Sequence, residues 1–152
     1  MRAGVDIGPV PKSSIAMNPP FAWSVGNWME YFFDGLKEGV LRASKCPKCG
    51  RVFLPPRMVC EICFVKNEDW VDVPLEGTVV SFTRASVKVG ADGRLEDLPA
   101  PEYIVMVKHD GADTCIAGRL EGDSCSIGIK VSAVIDAGAE SPLERLSGYK
   151  PV

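Results

Sequence analysis

Large apolar residues at Trp28, Phe32, Phe33, Leu36 and Val40 recur at near-helical spacing, and no later stretch repeats that period over comparable length. The pattern predicts a short helix, with Asn27 and Glu30, three positions apart, as its capping box. Gly39 is placed to close it in a left-handed conformation, before a lead-in strand that brings the helical unit to residues 27–43. Ahead of it, residues 1–26 carry Pro9, Pro11, Pro19 and Pro20 among small and polar side chains and read as an extended arm. After Trp70 the period changes to two. In Gly77–Val89, Val80 and Phe82 alternate with polar neighbours, then Val87 and Val89 do so on the opposite parity, as a bulge or sharp bend produces. Residues 90–101 read as a long polar loop. Three more strands are predicted over 103–108, 114–120 and 130–136, with Asp110-Gly111 as the hairpin turn between the first two. With the bent first strand counted as two segments, this predicts a five-stranded Greek-key barrel of the OB type over 73–137, followed by a tail over 138–152.

Between helix and barrel lie Cys46-Pro-Lys-Cys49-Gly50 and Cys60-Glu-Ile-Cys63, with ten residues between the two pairs. Paired CxxC knuckles supply the tetrahedral thiolate set that a structural Zn²⁺ prefers, so residues 44–72 are predicted to be a rubredoxin-like zinc ribbon ligated by Cys46, Cys49, Cys60 and Cys63. A closed four-cysteine site leaves no position for substrate, so the metal is structural. Iron in a rubredoxin-type site and a pair of disulfides are the alternatives. The N-terminus lacks an export pattern, and no apolar run approaches the ~20 residues needed to span a bilayer, so the expected address is the cytoplasm and a membrane partner is not expected.

With 152 residues, 24% of them charged, and a net charge of −3, the chain has the balance of an ordinary globular protein. The charge is unevenly spread. From Arg42 to Lys66 six lysines and arginines stand against Glu61 alone, a local balance of +5; four thiolates and one zinc leave about +3, enough to attract an anion. Lys48, Arg51 and Arg57 are the candidates for phosphate or partner contact, and Arg57 the first of them because its guanidinium forks onto phosphate or carboxylate. The alternative is that Arg57 braces the ribbon's turn.

In this order the parts resemble a family of zinc-ribbon plus OB-fold proteins that accompany thiolase-like acyl-CoA enzymes. The resemblance rests on Cys46-x-x-Cys49-Gly50-x4-Pro55-Pro56-Arg57-x-x-Cys60-x-x-Cys63, followed by Trp70 and Gly77-x-Val79, and on Leu36-x-x-Gly39-x-Leu41 ahead of the first knuckle. Glu61 stands where the second knuckle of the family often carries proline. The resemblance implies a non-catalytic subunit of a heteromeric acyl-CoA thiolase (acyltransferase) complex, one that scaffolds the catalytic chain and contributes to the site of the CoA thioester. Its narrowest form is the small subunit of a benzoylsuccinyl-CoA-type thiolase of anaerobic toluene breakdown.

The residues agree independently. Thiolase chemistry needs a nucleophilic cysteine, an acid/base group and oxyanion donors. His109 is the single histidine and reads as a solvated turn residue; Cys115 and Cys125 have no local group to lower their pKa. Six aromatic residues between Phe21 and Phe33 exceed what one short helix can bury, so Trp28, Tyr31, Phe32 and Phe33 are predicted at a partner interface; the alternative is that the helix caps the barrel or covers the ribbon. A single-stranded nucleic-acid-binding OB protein is the rival function. It is disfavoured by an acidic chain whose barrel offers only Phe82 and Tyr103 for stacking.

Overall fold

The computed structural model describes residues 24–90 and 92–152, so most of the predicted arm, with Phe21 and Trp23, lies outside the described residues. Helix α1 spans Gly26–Lys37 and buries Phe32, Phe33 and Leu36. No capping box forms: the N-cap is Val25, which makes no side-chain bond, and Asn27 already lies inside the first turn. The other end closes as the glycine predicts. Gly39 is left-handed at φ 77°, and Val40 N–H donates to the Gly35 carbonyl at 2.9 Å.

Three strands, β1 (Leu41–Lys45), β2 (Val52–Phe53) and β3 (Asp69–Val73), form an antiparallel sheet in the order β2-β1-β3, with Leu41 opposite Val73 and Ser44 opposite Phe53. Its core side is continuous with the barrel. Leu41, Ala43, Leu54 and Val73 join Phe32, Phe33 and Leu36 in one buried cluster with Val79, Val105, Val107, Leu120, Val131 and Tyr149. Polar bonds also tie ribbon to barrel. Val52 N–H donates to Asp113 Oδ2 at 2.9 Å, Asp113 N–H donates to the Val52 carbonyl at 2.9 Å, and the Thr114 hydroxyl accepts from Leu54 N–H and donates to its carbonyl, each at 2.8 Å.

The barrel is closed and five-stranded, in the order β4 (Glu76–Val89), β5 (Leu95–His109), β6 (Ile116–Leu120), β8 (Leu146–Pro151), β7 (Lys130–Ile135). All its pairs are antiparallel except β6 with β8, which meet in parallel at Leu120 and Tyr149. Strand β4 is one continuous strand whose register shifts between Val79 and Ser81 and again between Ala85 and Val87, the bulges that the parity flip predicts. Two predicted boundaries are corrected. The polar loop of residues 90–101 ends early, because β5 begins at Leu95 and its first residues pair with Val87–Val89 to make a hairpin arm beyond the barrel. The predicted tail of 138–152 contains β8, the fifth strand of the barrel, so β4 is not needed as two segments.

Strand β8 fits because two glycines let it approach β6. A Cβ on Gly148 would lie 2.6 Å from the Arg119 carbonyl oxygen, and one on Gly118 would lie 2.6 Å from the Tyr149 ring. Tyr149 therefore lies fully buried against β6, and its hydroxyl sits 3.0 Å from His109 Nε2. His109, expected in solvent, is 1% exposed; its Nδ1 is 3.0 Å from the Pro74 carbonyl oxygen. A carbonyl only accepts, so Nδ1 carries the proton and the tyrosine hydroxyl donates to Nε2. Burial lowers the His109 pKa, against the raising influence of the neighbouring Pro74 and Glu76 backbone groups. Among the described residues, no helix is long and apolar enough to cross a membrane.

Candidate metal centre and its surroundings

Each CxxC pair turns on a left-handed residue just after its second cysteine: Gly50 at φ 75° in the first knuckle and Phe64 at φ 53° in the second. The two turns repeat one hydrogen-bond pattern. Gly50 N–H donates to the Cys46 carbonyl at 2.9 Å and Phe64 N–H to the Cys60 carbonyl at 3.0 Å. Cys49 N–H lies 3.5 Å from Cys46 Sγ, and Cys63 N–H lies 3.5 Å from Cys60 Sγ. Closing bonds run from Cys46 N–H to the Arg51 carbonyl at 2.8 Å and from Cys60 N–H to the Val65 carbonyl at 3.0 Å.

The geometry fits a tetrahedral metal. All four sulfurs lie within 4.8 Å of one another, and Cys49 Sγ is 3.7 Å from Cys60 Sγ. A tetrahedron with Zn–S bonds of ≈ 2.3 Å has edges of about 3.8 Å. The acid–base chemistry agrees. Burial opposes ionisation of Cys46, but N–H donors from Cys49 and Lys48 outweigh it and bring that thiol down to about 7. Burial and the crowding of Cys49, Cys60 and Cys46 push Cys63 up to about 12. Four thiolates cannot share this space without a cation, and the N–H donors aimed at sulfur favour the ligated form. Cys46, Cys49, Cys60 and Cys63 would hold the ion, which supplies cross-linking and no open coordination position.

Packing inside the ribbon is sparse. Cys46, Phe53 and Cys60 form its own small buried cluster, with Cys63 and Val65 beside them, while Leu54 belongs to the core shared with the barrel. Polar contacts complete it. Ser44 Oγ donates to the Arg57 carbonyl at 3.0 Å and accepts from Arg57 N–H at 2.9 Å, and buried Asn67 donates from Nδ2 to the same carbonyl at 2.9 Å.

The predicted contact residues divide. Lys48 is exposed at the tip of the first knuckle and has no carboxylate within ion-pair distance among the described residues. Arg51 and Arg57 converge on Glu61: Arg51 Nη1 lies 3.4 Å from its carboxylate and Arg57 Nη1 pairs with the other oxygen. Both guanidinium groups also lie over the Phe53 ring, at 6.0 and 5.6 Å. Arg57 thus has the contacts of a brace, and the acid at the position where proline was expected draws both arginines onto the second knuckle.

The aromatic residues divide as well. Phe32 and Phe33 belong to the core, at 3% and 7% exposure, which corrects their expected place at an interface. The 3.6-residue period puts them on the inner face of α1 with Leu36. Trp28 and Tyr31 lie toward β3, where the Tyr31 and Trp70 rings are 4.3 Å apart and Trp28 donates from Nε1 to the Asn67 carbonyl at 3.0 Å. Arg42 covers Tyr31 at 4.7 Å and Lys66 covers Trp28 at 5.4 Å.

An apolar rim on the second knuckle was not anticipated. Met58, Ile62 and Phe64 are 54%, 58% and 83% exposed, and Val59 is exposed beside them. The signal was present as the apolar residues at 58, 59, 62 and 64 flanking the second CxxC, but it reads equally as the core of a small module.

Residues 33–69 match the rubredoxin-like zinc ribbon domain of ChsH2. Among solved structures, a protein of unknown function from the DUF35 family of Sulfolobus solfataricus is 32% identical, with a TM-score of 0.66 over 84% of this chain and 87% of that one. The Ltp2-ChsH2(DUF35) aldolase has the same fold, with a TM-score of 0.62 at 20% identity over 86% of this chain and 98% of that chain. Comparison with curated protein sequences finds no match.

Proposed function

The chain belongs to the DUF35 family, and from that premise we propose that it is a zinc-binding accessory subunit that docks on the catalytic chain of a heteromeric acyl-CoA enzyme. The carrying observation is the apolar rim of Met58, Val59, Ile62 and Phe64 on a knuckle that zinc makes rigid. Phe64 holds a left-handed backbone, a conformation that costs a non-glycine residue about 1–2 kcal/mol, yet its ring packs on nothing in the chain's buried clusters. Large exposed apolar side chains grouped on a rigid turn are interface anchors. The ChsH2(DUF35) chain of the aldolase named above is found together with Ltp2, which supports the heteromeric reading.

We assign the barrel to the OB type on its strand order and its single parallel contact, between β6 and β8. The partner is a thiolase-like acyltransferase working in the reducing cytoplasm, its substrate an aromatic acyl-CoA of the benzoylsuccinyl class. Lys48 meets the CoA phosphates, and Arg51 and Arg57 join it by exchanging Glu61 for the ligand. Replacing Ile62 and Phe64 together with aspartate tests the docking face. The variant is expected to keep one zinc per chain and to lose co-purification with a partner identified by peptide sequencing as a catalytic acyl-CoA enzyme. A variant that keeps both zinc and partner would overturn the proposed face.

A further inference from the structure

A cleft of about 370 Å³ lies between the N-terminal turn of α1 and the segment that leads into β8, remote from the zinc ligands in sequence and lined by Ser24, Val25, Gly26, Asn27, Asp34 and Arg145 among others. Arg145 is 8% exposed, and its Nε and Nη1 have no hydrogen-bond partner among the described residues. Buried guanidinium donors are ordinarily paired, because an unpaired buried charge is among the most expensive groups a fold can hold. One acid of the lining is already engaged: Asp34 pairs with Lys37 at 2.8 Å. The Arg145 backbone, in contrast, is fixed, its carbonyl accepting from Asp136 N–H at 2.8 Å.

The end of α1 that opens on the cleft makes the same demand. The helix is 12 residues long, its N-cap Val25 offers no side-chain acceptor, and its first turn contains no acidic residue. Among the described residues, the N-cap thus offers no side-chain acceptor and the first turn no acid to its leading N–H groups and the positive end of its dipole, equivalent to roughly half a unit charge.

We propose that this cleft binds a carboxylate, with Arg145 forking onto its oxygens and the first-turn N–H groups of α1 completing the cradle. Charge selects a carboxylate over a phosphate dianion. Glu30 and Asp34 offset Lys37 and Arg145 in the lining, so only the helix dipole favours added negative charge, and roughly half a unit of positive charge suits a monoanion better than a dianion. The volume admits a small organic acid. The site does not depend on the docking face of the ribbon.

The test uses the full-length, zinc-loaded protein, titrated with acetate, benzoate and inorganic phosphate while the Gly26 and Asn27 amides and the Arg145 Nε–H are followed by NMR. The carboxylates are expected to shift these signals to saturation and phosphate to bind more weakly. Arg145→Lys keeps the charge but loses the fork, and should weaken binding about tenfold. Asn27→Asp places a charge at the rim and not in the core: it should weaken binding about two- to fivefold while stabilising the helix. Two results would overturn the proposal: shifts that chloride reproduces, or carboxylate affinity unchanged in both variants. Saturation seen only after Asp6→Asn, the one acidic residue of positions 1–23, would assign Arg145 to the chain's own N-terminal arm and overturn it equally.

Discussion

The ribbon and the barrel are joined in one molecule but solve folding differently. The ribbon has a separate cluster of only Cys46, Phe53 and Cys60 among its described positions, lends Leu54 to the shared core, and gathers four sulfurs. The barrel contributes Val79, Val105, Val107, Leu120, Val131 and Tyr149 to a large shared core, and it encloses a histidine–tyrosine pair. One region is held by a cross-link that a chelator removes, the other by packing that a chelator does not touch. A ligand-held module can therefore leave its apolar side chains outside, on Met58, Ile62 and Phe64, where a packing-held one must spend them inside.

The largest effect should come from removing the metal. Structural zinc contributes about 10–16 kcal/mol in isolated fingers. Chelation is expected to abolish hydrogen-exchange protection in residues 46–66 while β4–β8 amides stay protected, because Leu41, Ala43 and Val73 anchor the rest of the sheet to the barrel core. Equal loss in both regions would mean that they form one cooperative unit.

On the barrel side, Gly118→Ala drives a methyl into the Tyr149 ring, now 2.6 Å from where that carbon would sit. A loss of about 1–3 kcal/mol in denaturant unfolding is expected, with zinc content unchanged. Tyr149→Phe deletes the hydroxyl that donates to His109 Nε2 and should cost about 1–3 kcal/mol for the acceptor left buried.

The pH dependence has a definite sign. His109 is held neutral, its pKa lowered by burial, while an unfolded histidine titrates near 6.5. Between the folded and unfolded values the unfolded chain binds the proton and the folded chain does not. Stability should fall as pH drops below about 6.5, and level off once the folded histidine is also protonated. Chemical unfolding from pH 7.5 to 5 checks this; His109→Gln should flatten the slope.

These same positions show how far the sequence could be read. The metal ligands were legible because spacing alone brings Cys46, Cys49, Cys60 and Cys63 together, and the cores of β4, β5, β6 and β7 because Val and Ile mark them locally. Strand β8 was not. Leu-Ser-Gly-Tyr-Lys-Pro carries glycine and proline, which argue against a strand unless one knows that Gly148 meets the Arg119 backbone across the barrel. His109 sits beside Asp110-Gly111, a setting that locally implies solvent; only closure of the barrel by β8 brings Tyr149 over it. Aromatic excess alone points Phe32 and Phe33 outward, because a local count does not register how much core the ribbon sheet and the barrel share.

Smaller effects sharpen the contrast further. Phe64→Gly relieves a left-handed backbone and should leave the ribbon as stable or up to about 1 kcal/mol more so, while weakening partner capture. Glu61→Gln unpairs Arg51 and Arg57 at the surface and should change stability by under about 1 kcal/mol.

The central claim is that this chain is an accessory subunit held in shape by zinc, and native mass spectrometry of the protein gently purified from its own cells tests it most directly. The account predicts a hetero-oligomer containing one zinc per copy of this chain and a second chain whose peptides identify it as a catalytic acyl-CoA enzyme. Recovery as a zinc-loaded monomer or homodimer, with no such second chain, would contradict it.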